Sequence, residues 1–396
     1  MGVRRYRRRV FRAADSFADG SLLRVLCAAL SLAAGGWLLL PGCAPREPIA
    51  IGFVGGMSGR VADLGVAGRD ATQLAVEQRN QAGGIAGRQV RLLVRDDEQN
   101  PAVAERALRE LIDQGVVAIV GPMTSAMAMV MVPIANRAGV LLISPTVSTE
   151  ALTGKDDYFF RVGSSNHANA MQVARYYLRQ AAGRKTPRRL VAVYDLNNRP
   201  YAETWLEGFR ATYVRGGGEI VKSIGFESGS ATSFRQLAQE LLATAADGVL
   251  IVANSVDAAL LCQQIRKSDR HVPIIAAEWA ASERLLELGG KAVDGVVVGQ
   301  NYDRSSTAPR YQAFRLAYLA RFQREPGFGG VLAYDATNVL LDALARRQRG
   351  QSVKDAVLAT GTFEGTQAPI VFDAYGDVQR KVFITVVRDG RLLVVE

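Results

Sequence analysis

Apolar runs of strand length recur along the chain, at 49–54, 90–95, 116–120, 140–143, 190–194, 248–252, 273–276 and 295–299. Most are continuously apolar rather than alternating, the mark of parallel strands buried on both faces. Segments of helical period lie between them. In 71–80, Leu74, Ala75 and Gln78 share a side; in 103–114, Ala104, Ala107, Leu108 and Leu111 form one stripe. This alternation predicts α/β sheets joined by right-handed crossovers. Only the end departs from it. There, 381–388 and 391–396 flank Asp389-Gly390, a type I′ hairpin signal.

The first 43 residues read as an export address. An arginine cluster from Arg4 to Arg12 precedes an apolar run at 25–40, which ends in Leu40-Pro41-Gly42-Cys43. A basic region, an apolar region and small residues before a cleavage site describe a secretory signal. Ending in Cys, the site resembles a bacterial lipobox, whose thiol is lipidated and becomes the new N-terminus; Pro41 departs from the residue usual there. An uncleaved signal anchor is the alternative, although 16 apolar residues are short for a membrane span. Arg8-Arg9-Val10-Phe11 also resembles a twin-arginine export motif. Residues 44–48 read as a tether. Cys27 leaves with the signal and Cys43 carries the lipid. Only Cys262 remains, at helical spacing from Ala258 and Ile265, so it reads as a buried structural thiol rather than half of a disulfide.

Composition narrows the class. With 396 residues, 48% hydrophobic and 22% charged, the chain is neither disordered nor a small disulfide scaffold. Its length suggests two domains. The net charge of +10 divides evenly: residues 1–42 hold seven Arg and two Asp, leaving a surplus of five over the rest. That is too weak for a nucleic-acid footprint. No Pro-, Gly- or Ser-rich linker divides the body, which suggests two α/β lobes joined by short crossings, with ligands bound between them at the carboxyl ends of strands.

Five motifs carry a family resemblance. They are Gly55-Gly56-Met57-Ser58-Gly59, the run from Val76 to Ile85, Asp96-Asp97, Gly121-Pro122-Met123-Thr124-Ser125, and Ile143 to Ser148. In order and spacing they resemble type I periplasmic binding proteins of the branched-chain amino acid (Leu/Ile/Val) transport family, over residues 49–396. The resemblance implies the type I periplasmic-binding-protein fold: two Rossmann-like lobes with parallel sheets, three crossings and a ligand cleft. Lobe 1 would be 48–165 plus 303–377, and lobe 2 would be 166–302 plus 378–396. It implies a monomer that closes around a small amino-acid-like ligand, needs no cofactor or metal and does no chemistry. The partner would be an ABC permease in the inner membrane. With the lipid anchor, this places the protein in the periplasm or at the cell surface.

The resemblance also implies roles for single residues. Ser125 opens a helix, where free N–H groups and partial positive charge suit a carboxylate; the alternative is a plain N-cap. Thr146 through its backbone and Ser148 through its hydroxyl would meet the same carboxylate, unless they only shape a turn. Ser58 would line the mouth. Tyr201 would close over the ligand with a flat apolar face. Glu278 would pair with a ligand ammonium, or else be a solvated loop residue, and Ser255 would add a polar contact. For Tyr334 and Asp335 the better reading is packing and charge at a helix start. Two departures from leucine binders, Leu64 for a Trp and Gly329-Gly330 for an aromatic, leave the ligand's size open.

Rival readings are weaker. His167 and His271 lie in different segments beside no nucleophile and read as solvated or helix-end positions. No HExxH, CxxC or GxSxG occurs. Gly55-Gly56-x-x-Gly59 is not a dinucleotide loop. Asp96-Asp97-Glu98 reads as a solvated strand edge rather than a metal site. An export signal stands where a DNA-binding repressor of this architecture would carry its helix-turn-helix. The serious alternative is a sensor or regulatory lipoprotein on the same fold, such as an activator of cell-wall synthesis.

Overall fold

The unbroken apolar runs pair in parallel. A computed structural model describes residues 46–181 and 189–396. The expected signal peptide, Cys27, Cys43 and the start of the tether lie outside the described residues. In the described part, β1 (Ile49–Gly55), β2 (Val90–Asp96), β3 (Ala118–Val120), β4 (Leu141–Ser144) and β5 (Phe159–Arg161) form an all-parallel sheet in the order β2-β1-β3-β4-β5. A second sheet holds parallel β6 (Arg189–Asp195), β7 (Glu219–Phe226), β8 (Gly248–Val252), β9 (Ile274–Ala276) and β10 (Val297–Gln300). Antiparallel β13 (Phe383–Arg388) and β14 (Arg391–Val394) extend it, in the order β14-β13-β10-β9-β8-β6-β7. The last two form the expected hairpin. Asp389 and Gly390 take φ of 48° and 68°, the left-handed pair that a type I′ turn requires. A small hairpin, β11 (Thr362–Glu364) with β12 (Pro369–Val371), completes the strands.

The two sheets center two lobes, and the chain passes between them three times. It leaves the first sheet after β5 and returns after β10 to build α-helices at 309–346. It crosses again before β13. Residues 47–396 form one compact unit. One apolar cluster runs through both sheets and further clusters back each of them, so neither lobe lacks a core.

Three expectations change. The helix expected at 71–80 is α1 (Ala62–Gln81), which starts a full two turns earlier. Gly65 and Gly68 hide that start, because glycine breaks a helical pattern in sequence. The structure needs Gly65: a Cβ there would lie 2.0 Å from the carbonyl of Gly56, where α1 packs onto the loop after β1. Asp97 is not part of a solvated edge. It is fully buried and accepts hydrogen bonds from the Gln99 backbone (2.9 Å) and side chain (3.0 Å). Burial pushes its pKa up to about 6. Tyr334 and Asp335 do not begin a helix; they sit inside the long helix Gly327–Arg346. There Asp335 is buried and paired with Arg380 at 2.7 Å, and Arg380 also donates to the carbonyl of Val162 at 2.5 Å. Through its bond to Val162, Arg380 ties the third chain crossing to the first.

Candidate functional site

Strand order fixes where the cleft lies. In the first sheet the connections reverse direction between β1 and β3, and in the second between β6 and β8. Loops leaving such neighbors diverge and leave a crevice at the carboxyl ends of the strands. The loops after these strands carry most of the residues singled out from the sequence.

On the first-lobe side, β3 runs into Gly121, whose φ is 117°; a Cβ there would lie 2.2 Å from the carbonyl of Val54. Only glycine lets this loop lie against β1. The loop delivers Ser125 as the first residue of the helix Ser125–Ala138. Ser144 joins this loop to the next one. Its hydroxyl donates to the carbonyl of Pro122 at 2.8 Å and accepts from the Val147 amide at 3.0 Å. The Thr146 hydroxyl is spent on the carbonyl of Met123 at 2.5 Å. Ser125, Thr146 and Ser148 line one pocket.

The second lobe faces them with Tyr201, in the first turn of the helix Arg199–Arg215, and with Glu278, in the short turn after β9. The Tyr201 ring meets Trp279 edge-on, with centroids 5.4 Å apart. One helical turn beyond Tyr201, Trp205 donates from its indole to Glu278 Oε2 at 2.6 Å. Glu278 is only 8% exposed, and besides the Trp205 bond the Tyr201 hydroxyl approaches its carboxylate. Burial pushes its pKa up to about 7, against the opposing pull of its own backbone amide, Trp205 and Tyr201. The solvated-loop alternative for Glu278 therefore fails.

The pocket shared by these five residues has a cavity of about 30 Å³. Leu64, Phe328 and Leu332 supply apolar wall, and Asn301 contributes a buried Oδ1 that lacks a partner. Gly329 explains the place of Leu64: a Cβ on it would lie 2.7 Å from Leu64 Cδ1. A wider cleft of about 1250 Å³ adjoins the pocket and shares Leu64, Asn198, Trp279 and Phe328 with it.

Ser58 lines this wider cleft rather than the pocket. Ser255 lines neither. It begins the helix Ser255–Ser268, and its hydroxyl donates to Asp63 at 2.7 Å across the cleft, so the expected ligand contact is replaced by a contact between lobes. Sequence reasoning missed Trp205, Asn198 and Asn301. Trp205 carried a signal, because it lies four residues after Tyr201 and shares its helix face. Asn198 accepts from the Ala126 amide at 2.9 Å and so caps the helix Ser125–Ala138 from the opposite lobe, a contact no local pattern encodes. His167 is half-buried in the first turn of its helix and His271 is exposed. Among the described residues no group of three or more His, Cys, Asp or Glu could hold a metal, and no helix is long and apolar enough to cross a membrane.

Two α/β lobes facing across a cleft, hydroxyls on one wall and a buried carboxylate on the other, define a hinged ligand-binding protein. Residues 48–391 match the family described as periplasmic binding protein, and the chain belongs to that family. It is 24% identical over 342 residues to a Leu/Ile/Val-binding protein of Rhizobium johnstonii, covering 85% of this chain and 90% of that one. It is 23% identical to the Leu/Ile/Val-binding protein of Escherichia coli K12, covering 87% and 94%. Among solved structures, the branched-chain amino acid transporter substrate binding protein LivJ of Streptococcus pneumoniae, in complex with isoleucine, superposes with a TM-score of 0.80. The two share 26% identity over 88% of this chain and 99% of that one. A Rhodopseudomonas palustris solute binding protein in complex with benzoate has the same fold, with a TM-score of 0.78 at 20% identity over 88% and 95%.

Proposed function

We propose that the protein captures a small amino-acid-like ligand by closing its lobes and delivers it, chemically unchanged, to an ABC permease. The observation that carries this reading is the Glu278 carboxylate, buried in the pocket with hydrogen-bond donors beside it but no cation facing it among the described residues. A buried carboxylate is costly unless paired, and a ligand ammonium is the partner that fits. Opposite it, the Ser125 and Ser148 hydroxyls and the start of the helix Ser125–Ala138 suit a ligand carboxylate. Thr146 would add its backbone, and Tyr201 and Trp279 would cover the side chain. The names of the Leu/Ile/Val-binding relatives support an amino acid as the ligand.

In this reading lobe 1 comprises 48–165 and 303–377, and lobe 2 comprises 166–302 and 378–396. The protein works as a non-catalytic monomer without cofactor, metal or nucleic acid. It is held in the periplasm or at the cell surface by lipid on Cys43.

A thermal-shift panel of amino acids, short amides and aromatic acids on residues 47–396 tests the reading. A ligand at 100 times its Kd should stabilize by about 2.7 kcal/mol. Amino-acid shifts that vanish in Glu278→Gln are the expected result. Shifts with acids alone would remove Glu278 from its role.

One observation favors a second reading, a ligand-independent regulatory lipoprotein. The pocket's cavity of about 30 Å³ is small for a whole ligand. A folded protein that no compound in the panel stabilizes would decide for that reading.

A further inference from the structure

Protein side chains outside the pocket's lining also bridge the cleft. Arg60, in the turn Gly59–Val61 before α1, reaches across to the second lobe. It donates to Asp257 Oδ1 at 2.8 Å and to the carbonyl of Gly229 at 2.6 Å, and its guanidinium lies 5.4 Å from the center of the Phe234 ring. Asp257 is fully buried, and its other oxygen accepts from Asn254 at 2.8 Å. One residue into α1, Asp63 accepts from two second-lobe hydroxyls on the same oxygen, Ser255 at 2.7 Å and Ser282 at 2.6 Å. Its remaining oxygen accepts from the Leu64 amide at 2.9 Å, and Leu64 is a wall of the pocket.

We propose that Arg60 and Asp63 are positioning residues for capture: a two-point latch that holds the lobes together and sets how long a ligand stays enclosed. The physics is one of difference between states. With the lobes together, Arg60 is the cation that faces buried Asp257. With the lobes apart, Asp257 must be left to water, and Asp63 loses both hydroxyls. A carboxylate at the start of the helix Ser255–Ser268 also gains from the helix dipole. Because a ligand gripped by both lobes is bound only in the closed form, its apparent affinity scales with the closed fraction, which the latch raises. The ligand consequence rests on the capture reading above, whereas the latch itself does not.

Small-angle scattering of residues 47–396 without added ligand tests the latch. Asp63→Ala, Arg60→Gln and the double variant should each give a larger radius of gyration than the wild type, with unchanged far-UV circular dichroism. Superposable scattering curves overturn the proposal. Ser255→Ala with Ser282→Ala removes only two hydroxyls and gives the same comparison should a charge variant fail to fold. Stopped-flow dissociation with L-leucine as probe reads the second consequence. Asp63→Ala should release it roughly tenfold faster, with Asp63→Asn between the two, since it keeps one acceptor oxygen. The ratio of leucine to isoleucine affinity should stay constant. An unchanged release rate, or a changed ratio, would count against the latch. If the wild type does not bind L-leucine, that ligand assignment fails and scattering alone decides the latch.

Discussion

Glu278 and Trp205 meet across 73 residues of sequence through one hydrogen bond, from the indole Nε1 to Oε2 at 2.6 Å. Beyond that bond the buried carboxylate has only neutral donors near it, the Tyr201 hydroxyl among them, and no cation among the described residues. The arrangement favors a neutral Glu278 when nothing faces it and an ionized one when a cation does.

A pH dependence follows. Folding raises the Glu278 pKa from 4.5 to about 7, so the folded state binds the proton more tightly than the unfolded one. The stabilization this gives is complete below about pH 4.5 and is lost as pH rises through about 7. Glu278→Gln should therefore resemble the wild type at pH 4.5 and exceed it at pH 8 by up to about 3 kcal/mol. Urea titrations at the two pH values measure this. The buried Asp97 and Asp195, both pushed up to about 6, keep their own slope in both proteins and cancel in the difference.

The opposite wall gives a prediction of affinity rather than stability. Ser125 and Ser148 make no side-chain hydrogen bond that the fold depends on, yet both line the pocket. Ser125→Ala and Ser148→Ala should each weaken binding of a carboxylate ligand by about 1.5–3 kcal/mol, roughly ten- to a hundredfold in Kd. Thermal unfolding without ligand should shift little. Calorimetric titration with L-leucine gives the first quantity and a melting curve the second.

Much of the fold was legible because its strands are buried on both faces. The runs at 49–54, 190–194 and 248–252 coincide with β1, β6 and β8 to within a residue or so. Edge strand β7, by contrast, mixes exposed and buried positions and gives no unbroken run. Ser125, Thr146, Ser148, Tyr201 and Glu278, singled out by the family resemblance, line one pocket because each stands where a strand has just ended or a helix begins, and the fold sends such positions to the cleft. What stayed hidden depends on distant pairing. Arg60 meets Asp257 across 197 residues and Asp63 meets Ser282 across 219, so neither contact leaves a local pattern.

The chain crossings are secured by Asp335 and Arg380, and removing one partner should be felt globally. Both side chains are nearly inaccessible, and Asp335 Oδ1 also accepts from the Thr366 amide at 2.8 Å. Arg380→Met would strand the carboxylate in a low-dielectric site and should cost about 3–5 kcal/mol in equilibrium denaturation. Restoring neutrality with Asp335→Asn in the same chain should recover part of that loss. A single-variant cost below about 1 kcal/mol would mean that water reaches the site.

Cys262 offers a probe of whether the second lobe opens at all. The thiol is 1% exposed among Ala258, Ala259 and Ile265, and burial pushes its pKa up to about 12. The thiolate is the reactive form, so both its population and its access are suppressed in the native state. In residues 47–396 it is the one cysteine. Ellman's reagent at pH 8 should therefore leave the folded protein unmodified over hours and label one thiol per chain in urea. If lobe closure is a rigid-body motion, as a hinge requires, the labeling rate should be the same for the wild type and for Asp63→Ala. Faster labeling in the variant would show that freeing the lobes also loosens the packing around the helix Ser255–Ser268.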